Sequence, residues 1–215
     1  MINKTYAVFG LGKYGRSVAS ELAKNGADVI AVDMDETIVE DAIQEIPICK
    51  CADVTDPEVI KQLGIEEVDV VIIAMATRFE STIMATMLCK DAGVERIIIK
   101  CDDEFHGRVL EKLGANQIIY PELESGTLLA KNLLSSGFVD VFNLSDDISI
   151  VEIAVKPEWV GKSLIELDLR KRYSLNILAI KKGEVVSTIF DPMKPLEEDM
   201  EMVVMANVSK IEKLK

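Results

Sequence analysis

Residues 6–33 read YAVFGLGKYGRSVASELAKNGADVIAVD, and this stretch decides the fold. Gly10, Gly12 and Gly15 have the spacing G-x-G-x-x-G between a strand-like apolar run and an amphipathic run of helical period, and the stretch closes on Asp33. Gly10 permits a tight turn, Gly12 lets the backbone approach a phosphate, and Gly15 lets the helix pack closely against the strand. The start of the helix then offers free N–H groups and the positive end of its dipole to phosphate oxygens.

The position of Asp33 favours particular nucleotides. Its carboxylate can accept hydrogen bonds from both hydroxyls of a ribose, and it would repel a 2′-phosphate. The pattern therefore indicates an adenine nucleotide or NAD(H) and disfavours NADP. The alternative, a glycine turn that holds no ligand, stays open at this point.

The first 120 residues alternate between strand and helix signals, several of the strand signals being continuous apolar runs such as VDVVIIA and RIIIK. Such strands are buried on both faces, as in a parallel sheet covered by helices. The rhythm predicts an α/β fold with a doubly wound parallel sheet. The predicted strands are 5–9, 28–32, 48–51, 68–74, 96–100 and 117–120. The predicted helices are 13–25, 57–63, 79–92 and 103–113.

The rhythm changes after Pro121. We predict a helix over 126–136, broken at Gly137, and a connector over FVDVFNLSDD, residues 138–147. Shorter segments follow, including a hairpin at KKGE, and they predict a small α+β domain. The resulting division is 1–125 for the first domain, 126–146 for a crossover helix and linker, and 147–215 for the second domain, which is small enough to need a partner copy.

Composition excludes several classes of protein. The 215 residues carry a formal net charge of −13, so neither nucleic acid nor an anionic lipid surface is an expected partner. No apolar run approaches the roughly 20 residues that span a bilayer, and no signal pattern opens the chain, so we expect a cytosolic protein. The four cysteines, at 49, 51, 89 and 101, form no zinc-binding pattern and are expected to be buried, reduced thiols.

Three charged residues lie near the edge of the sheet where ligands bind. Lys13 is inside the glycine loop and Lys100 ends the fifth predicted strand, and both suit phosphates. Glu122 follows the sixth strand, where a carboxylate beside phosphates is repelled. A bridging cation such as Mg²⁺ or Ca²⁺, a pairing with a lysine, a neighbouring subunit, or a helix-capping role would each account for it.

The residues after the third and fourth strands are placed to form an adenine pocket. Asp53 in CADVTD can accept from the adenine amino group or cap the helix at Pro57, and Arg78 in MATR can reach a phosphate or a carboxylate of another subunit, or remain solvated. The candidate nucleotide site comprises Gly10, Leu11, Gly12, Lys13, Tyr14, Gly15, Asp33, Met34, Asp53, Val54, Ala74, Met75, Thr77, Arg78 and Lys100.

Signs of catalysis are weak. A dehydrogenase needs a substrate pocket and usually an acid or base near the hydride. His106 is the single histidine, and its helical context favours a structural role. A binding module accounts for the chain better, with an NAD-dependent oxidoreductase as the alternative.

Four stretches carry a family resemblance over nearly the whole chain. These are the glycine stretch, GVERIIIK, VLEKLGANQIIYPE, and SIVEIAV with GKSLIELDLRKRYSLNILAIKKG. They resemble the cytosolic regulatory subunits of Ktr/Trk potassium transporters, which are RCK-domain proteins with TrkA-N and TrkA-C parts. The combination of LEKLGA, PE and the C-terminal segment is much more specific than the glycines alone.

The resemblance implies a Rossmann-like domain that binds ATP, ADP, AMP or NAD(H), a helical crossover and a small C-terminal domain. It implies homodimers that assemble into octameric rings under a membrane-embedded potassium channel or transporter, which nucleotide exchange gates. Lys100 matches a basic residue near the phosphates, and Glu122 a carboxylate that helps to bind a cation. Lys13 stands where many ATP-responsive members have arginine. Asp168, Arg170 and Asn176 match a region that in some members binds cyclic di-AMP.

Overall fold

The computed structural model describes residues 4–75, 78–134, 138–145 and 147–211. The chain divides into two compact units, Met1–Leu123 and Glu124–Lys215. Each unit has its own sheet, with two apolar cores in the first unit and one in the second among the described residues.

The first unit is built on a parallel sheet. Its strands are β1 (Thr5–Phe9), β2 (Asp28–Asp33), β3 (Ile48–Cys51), β4 (Val70–Ile73), β5 (Arg96–Lys100) and β6 (Gln117–Ile119). Its helices are α1 (Lys13–Lys24), α2 (Glu36–Ala42), α3 (Pro57–Gln62), α4 (Phe79–Asp91) and α5 (Glu104–Leu113). A 3₁₀ turn covers Ile65–Glu67, and α6 (Pro121–Leu134) contains the boundary between the two units.

The strand order is β3-β2-β1-β4-β5-β6, with every neighbouring pair parallel. This is the doubly wound, Rossmann-like topology that the sequence predicts. Alternate residues of β1 and β4 enter two different cores. Phe9 and Ile73 belong to one core, and Val8 and Ile72 belong to the other. The sheet is therefore buried on both faces, which explains why its strands are continuous apolar runs.

Local signals place the helix ends of this unit. Asp56 accepts from the backbone N–H of Glu58 at 2.9 Å and caps α3, whose first residue is Pro57. Asp103 caps α5 in the same way, accepting from the N–H of His106 at 2.9 Å. These caps satisfy N–H groups that have no partner within the helix.

The second unit is built on an antiparallel sheet of order β10-β9-β11-β8-β7. Its strands are β7 (Phe138–Asn143), β8 (Ile148–Ala154), β9 (Asn176–Lys182), β10 (Val185–Ser187) and β11 (Met200–Asn207). Its helices are α7 (Leu164–Leu167), α8 (Leu169–Tyr173) and α9 (Val208–Ile211), with a 3₁₀ turn at Pro157–Trp159. The hairpin predicted at KKGE joins β9 to β10.

The segment between the predicted domains differs from expectation in two places. The helix predicted from Gly126 begins at Pro121 instead, because proline suits a first helical position and Glu122 is favourable in the first turn. The connector predicted over 138–147 contains strand β7, which pairs with β8. The predicted break at Gly137 lies outside the described residues.

The cysteine expectation is partly wrong. Cys89 and Cys101 are buried, but Cys49 is half-buried and Cys51 is exposed, since Cys51 ends the edge strand β3. Burial raises the pKa of the Cys89 thiol to about 12. All four are free thiols.

The described residues lack two kinds of feature. None of their helices combines the length and the apolar character needed to cross a bilayer. They also contain no group of three or more His, Cys, Asp or Glu side chains placed to hold a metal ion.

Candidate functional site

The strand order reverses direction between β1 and β4, and a crevice opens there at the carboxyl ends of the strands. The loop after β1 enters this crevice and leads directly into α1. Two backbone hydrogen bonds join the ends of neighbouring strands beneath this loop. The N–H of Gly10 donates to the carbonyl of Val32 at 2.8 Å, and the N–H of Ala74 donates to that of Phe9 at 2.7 Å.

The three glycines have different surroundings. Gly10 has φ +89°, and a Cβ there would lie 2.8 Å from Cγ of Met75. A Cβ on Gly15 would lie 1.9 Å from the carbonyl oxygen of Gly10, so the first turn of α1 packs directly on the loop. Gly12 caps α1 with φ −60°, and a Cβ there would meet nothing within 4 Å. The open space lies where a phosphate would approach the helix N-terminus.

Asp33 ties the end of β2 to the glycine loop. Its Oδ2 accepts from the N–H of Leu11 at 2.7 Å, and its Oδ1 accepts from the N–H of Asp35 at 3.1 Å. A carboxylate offers about four acceptor positions, so both oxygens retain capacity for further donors such as ribose hydroxyls. Asp33 therefore has a structural role as well as the predicted binding role.

A pocket of about 200 Å³ occupies the crevice. It brings together nine of the sequence-predicted residues, which are Gly10, Gly12, Asp33, Met34, Asp53, Val54, Ala74, Met75 and Arg78. Leu11, Lys13, Tyr14, Gly15 and Lys100 are predicted site residues that do not line it. Thr77 lies outside the described residues.

Sequence reasoning missed other residues of the pocket. The lining also includes Val32, Asp35, Ile38, Ala52, Thr55 and Ser81. Asp35 and Thr55 carry recognisable signals, because Asp35 caps α2 and Thr55 follows Asp53 at the spacing of an Asx turn. Ile38 and Ser81 come from helices, and nothing in their local sequence distinguishes them.

Asp53 is held at the mouth of the pocket by Thr55. Its Oδ1 accepts from the backbone N–H of Thr55 at 2.9 Å and from the Thr55 hydroxyl at 2.7 Å. These bonds, with a smaller contribution from the charge of Arg78, lower the pKa of Asp53. The suggested cap at Pro57 is wrong for Asp53, because Asp56 caps that helix.

Lys100 and Glu122 form a second cluster with Asp102. Nζ of Lys100 lies 2.8 Å from Glu122 and 3.1 Å from Asp102. Burial alone would lower the pKa of Lys100, but hydrogen bonds to the two carboxylates outweigh it and raise that pKa. The hydrogen bond from Lys100 lowers the pKa of Glu122 in turn. A cavity of about 180 Å³ lies beside the cluster.

His106 lies away from the crevice lining. Its ring stacks on Phe79, with centroids 3.8 Å apart and an angle of 20° between the rings. Its Nδ1 lies 4.0 Å from Asp103. These contacts join the starts of α4 and α5, in line with the structural role predicted for this histidine.

A separate pocket of about 560 Å³ lies in the second unit. Asp168, Arg170 and Asn176, which the resemblance singled out, all line it. Asp168 adopts a left-handed conformation with φ 43°, between α7 and α8, and Ser174 does so with φ 58° after α8. Non-glycine residues in this conformation are uncommon and cluster at functional sites.

Comparison with known families matches both units. Residues 6–121 match the TrkA-N domain, and residues 148–215 match the TrkA-C domain. The chain is 34% identical to the Ktr system potassium uptake protein C of Bacillus subtilis over 217 residues, covering 99% of this chain and 97% of that protein. It is 35% identical over 179 residues to the Ktr system potassium uptake protein A of the same organism, covering 83% and 81%.

Solved structures agree on the fold. The GsuK RCK domain superposes with a TM-score of 0.68 at 16% identity, covering 99% of this chain and 47% of that one. The GsuK channel bound to NAD gives a TM-score of 0.64 at 17% identity, covering 97% and 38%. The chain thus spans less than half of each of these two solved chains. At these low sequence identities, the similarity supports a shared fold and nothing more.

Proposed function

The chain belongs to the TrkA-N/TrkA-C family that includes the Ktr potassium uptake proteins, and on this premise we propose that it is a nucleotide-sensing regulatory subunit. It acts at the cytoplasmic face of the membrane on an embedded potassium channel or transporter. The single observation that carries the nucleotide part is the crevice at the strand-order reversal, where Gly12 leaves the start of α1 open and Asp33 faces the same pocket.

The ligand is an adenine nucleotide (ATP, ADP or AMP) or NAD(H). The phosphates lie at the N-terminus of α1, and the ribose lies at Asp33. The solved structure of the GsuK channel, a fold relative, is bound to NAD, and this supports the nicotinamide alternative. Thermal-shift titration with ATP, ADP, AMP, NAD and NADH ranks them, since a ligand of the folded state raises the melting temperature.

Asp33→Ala tests the site, and Asp69→Ala is its matched control. Asp69 also accepts a backbone N–H through Oδ2, that of Thr5 at 2.7 Å, but at the amino-terminal edge of the same sheet. Asp33→Ala removes the acceptor of two backbone N–H groups, those of Leu11 and Asp35, and Asp69→Ala removes the acceptor of the N–H and hydroxyl of Thr5, so both substitutions should reduce stability. Only Asp33→Ala weakens nucleotide binding in calorimetry. Equal affinities for the two variants would place the ribose elsewhere.

The dehydrogenase alternative has its own readout. The regulatory role is favoured by membership in a family of potassium uptake proteins. Oxidation of NADH by any candidate substrate, followed by absorbance, would favour the enzyme. Potassium flux through a reconstituted channel subunit that changes with nucleotide would favour the regulator.

A divalent cation at Glu122 is a further part of the proposal. Lys100 neutralises only one of its two carboxylate neighbours, so the cluster with Asp102 keeps an excess negative charge that Mg²⁺ or Ca²⁺ would balance. The ion should raise nucleotide affinity, and Glu122→Gln should remove most of that gain. An ion effect that survives the substitution would contradict the assignment.

The assembly and a second ligand complete the proposal. We expect a homodimer that forms an octameric ring, which light scattering tests against the 23.8 kDa monomer. We also propose cyclic di-AMP for the pocket of the second unit, because Asp168, Arg170 and Asn176 converge there. Arg170→Ala should abolish cyclic di-AMP binding in calorimetry while leaving nucleotide binding to the first unit unchanged.

A further inference from the structure

Arg78 extends over one end of the crevice pocket. It follows β4 and precedes α4, yet its guanidinium Nη1 contacts Sδ of Met34, which follows β2. Both residues line the pocket, and Met34 is 52% exposed. The side chain therefore reaches across the mouth of the crevice and away from β4.

This direction separates Arg78 from the phosphate end. Phosphates are expected at Gly12 and the start of α1, whereas Met34 and Asp53 follow β2 and β3, on the side where the base would lie. The charge of Arg78 is also felt by Asp53, whose pKa it helps to lower. Among the residues that the structure describes, no carboxylate forms an ion pair with this guanidinium.

The surroundings suit a flat base. Ile38 and Val54 supply apolar wall to the pocket, and the Met34 thioether is a soft, polarisable neighbour for a π system. A guanidinium is planar and weakly hydrated, and it stacks on aromatic rings. A purine offers a larger stacking face than a pyrimidine.

We propose that Arg78, together with Met34, stacks on the base of the bound nucleotide and selects purines. This rests on the proposed nucleotide binding, and it gives Arg78 a role at the base instead of at a phosphate. The base lies against Ile38 and Val54, and the guanidinium covers its outer face.

The experiment measures displacement of a fluorescent ADP analogue by ADP, AMP and UDP. In Arg78→Ala, the dissociation constants for ADP and AMP should rise by about 5- to 30-fold, and that for UDP by less than about 2-fold. Arg78→Lys should behave like Arg78→Ala, because lysine keeps the positive charge but lacks the planar guanidinium that stacks on a base. Arg78 is exposed and makes no side-chain cap of α4, so both variants should fold.

Arg96→Ala is the control for loss of one positive charge. Arg96 is the first residue of β5, so it lies at the amino-terminal ends of the strands, away from the crevice. Its Nη2 donates to Oε1 of Gln117 at 2.9 Å. The dissociation constants of Arg96→Ala for ADP, AMP and UDP should match those of the wild type.

Four results would overturn the inference. A loss for ADP that Arg78→Lys restores, or a loss much larger for ADP than for AMP, would place Arg78 on a phosphate. Equal losses for ADP and UDP would remove the base selectivity. If the wild-type protein fails to bind the ADP analogue at all, the proposed function fails first, and the role of Arg78 fails with it.

Discussion

The crevice of the first unit depends on glycines, which have no side chain, whereas the second unit depends on charged side chains. In the parallel sheet the sharp turn and the close approach fall on Gly10 and Gly15, which have no Cβ. Among the described residues of the second unit, Gly161 and Gly183 also have positive φ, but the left-handed residues Asp168 and Ser174 carry side chains. The first arrangement tolerates no added atom at those glycines, and the second leaves room for polar groups.

The sheets themselves show the same contrast. The parallel sheet places apolar residues on both faces. The antiparallel sheet places Met202 and Val204 in its core, and its other face carries charged residues beside Val203 and Met205. On that face Lys181 contacts Glu152 and lies 3.2 Å from Glu201, and Glu152 is only 8% exposed. The comparison teaches that steric changes should damage the first unit and that charge changes should damage the second.

The largest effect is expected at Gly15. Gly15→Ala places a methyl group 1.9 Å from the carbonyl oxygen of Gly10, so α1 must shift away from the loop. We expect a loss of about 3 kcal/mol in the free energy of unfolding of this unit. Denaturation by urea, followed by circular dichroism, measures it.

Gly12→Ala is the matched control for Gly15→Ala. Its φ of −60° suits alanine, and the new Cβ meets nothing within 4 Å. Stability should change by less than about 0.5 kcal/mol, while nucleotide affinity falls because the methyl group occupies the phosphate approach. If Gly15→Ala were as stable as Gly12→Ala, the close approach would be adjustable and the contrast between the units would weaken.

The same steric rules explain what the sequence predicts well. The predicted bounds of β1, β3 and β5 agree with the structure. Glycines at the ends of helices, such as Gly26 with φ +80°, and caps such as Asp56, fix where the chain turns. These signals are local, so they can be read from a single sequence.

Elements that depend on distant partners are harder to predict. Helix α2 is only seven residues long and is not among the helices predicted from the sequence, although Asp35 supplies its cap. Strand β7 is stabilised by pairing with β8, which no local signal reveals. In the crevice the glycines and Asp33 follow from backbone spacing. The direction of Arg78 and the pairing of Lys100 depend on rotamers and neighbours, which spacing does not encode.

A smaller effect is expected at Lys181, within the charged face. Lys181→Met leaves Glu152 and Glu201 facing each other without their cation, at side chains that are 10% and 29% exposed. We expect a measurable loss in the free energy of unfolding, smaller than for a fully buried pair because the Lys181 side chain itself is 23% exposed. Urea denaturation at neutral pH measures the loss.

Lys182→Met is the control on the neighbouring position of β9. Lys182 also lies between two carboxylates, 2.6 Å from Glu197 and 3.3 Å from Asp199, but its side chain is 47% exposed. Exposed ion pairs contribute little to stability, so Lys182→Met should cost clearly less than Lys181→Met. Equal losses for the two lysines would show that the charged face is no more sensitive than ordinary surface.

The smallest expected effect is a pH dependence at Glu152. Burial raises the pKa of Glu152 above its ordinary value of 4.5, and the neighbouring Glu201 adds to this against the opposing hydrogen bond from Lys181. A group whose pKa is higher in the folded state holds its proton more tightly there, so its contribution to stability is full below pH 4.5. That contribution is lost as the pH rises through the raised value.

Glu152→Gln cannot ionise and should avoid the loss, so its stability relative to wild type should increase as the pH rises above 4.5. The gain should grow with pH and level off once the pH is above the raised pKa of Glu152. Other carboxylates also titrate in this range, and subtracting the wild-type curve from that of the variant removes their common contribution. Melting temperatures of both proteins between pH 4 and pH 8 give the difference. A constant difference across that range would mean that Glu152 titrates as an ordinary carboxylate, and that the charged face of the antiparallel sheet is solvated like the surface around it.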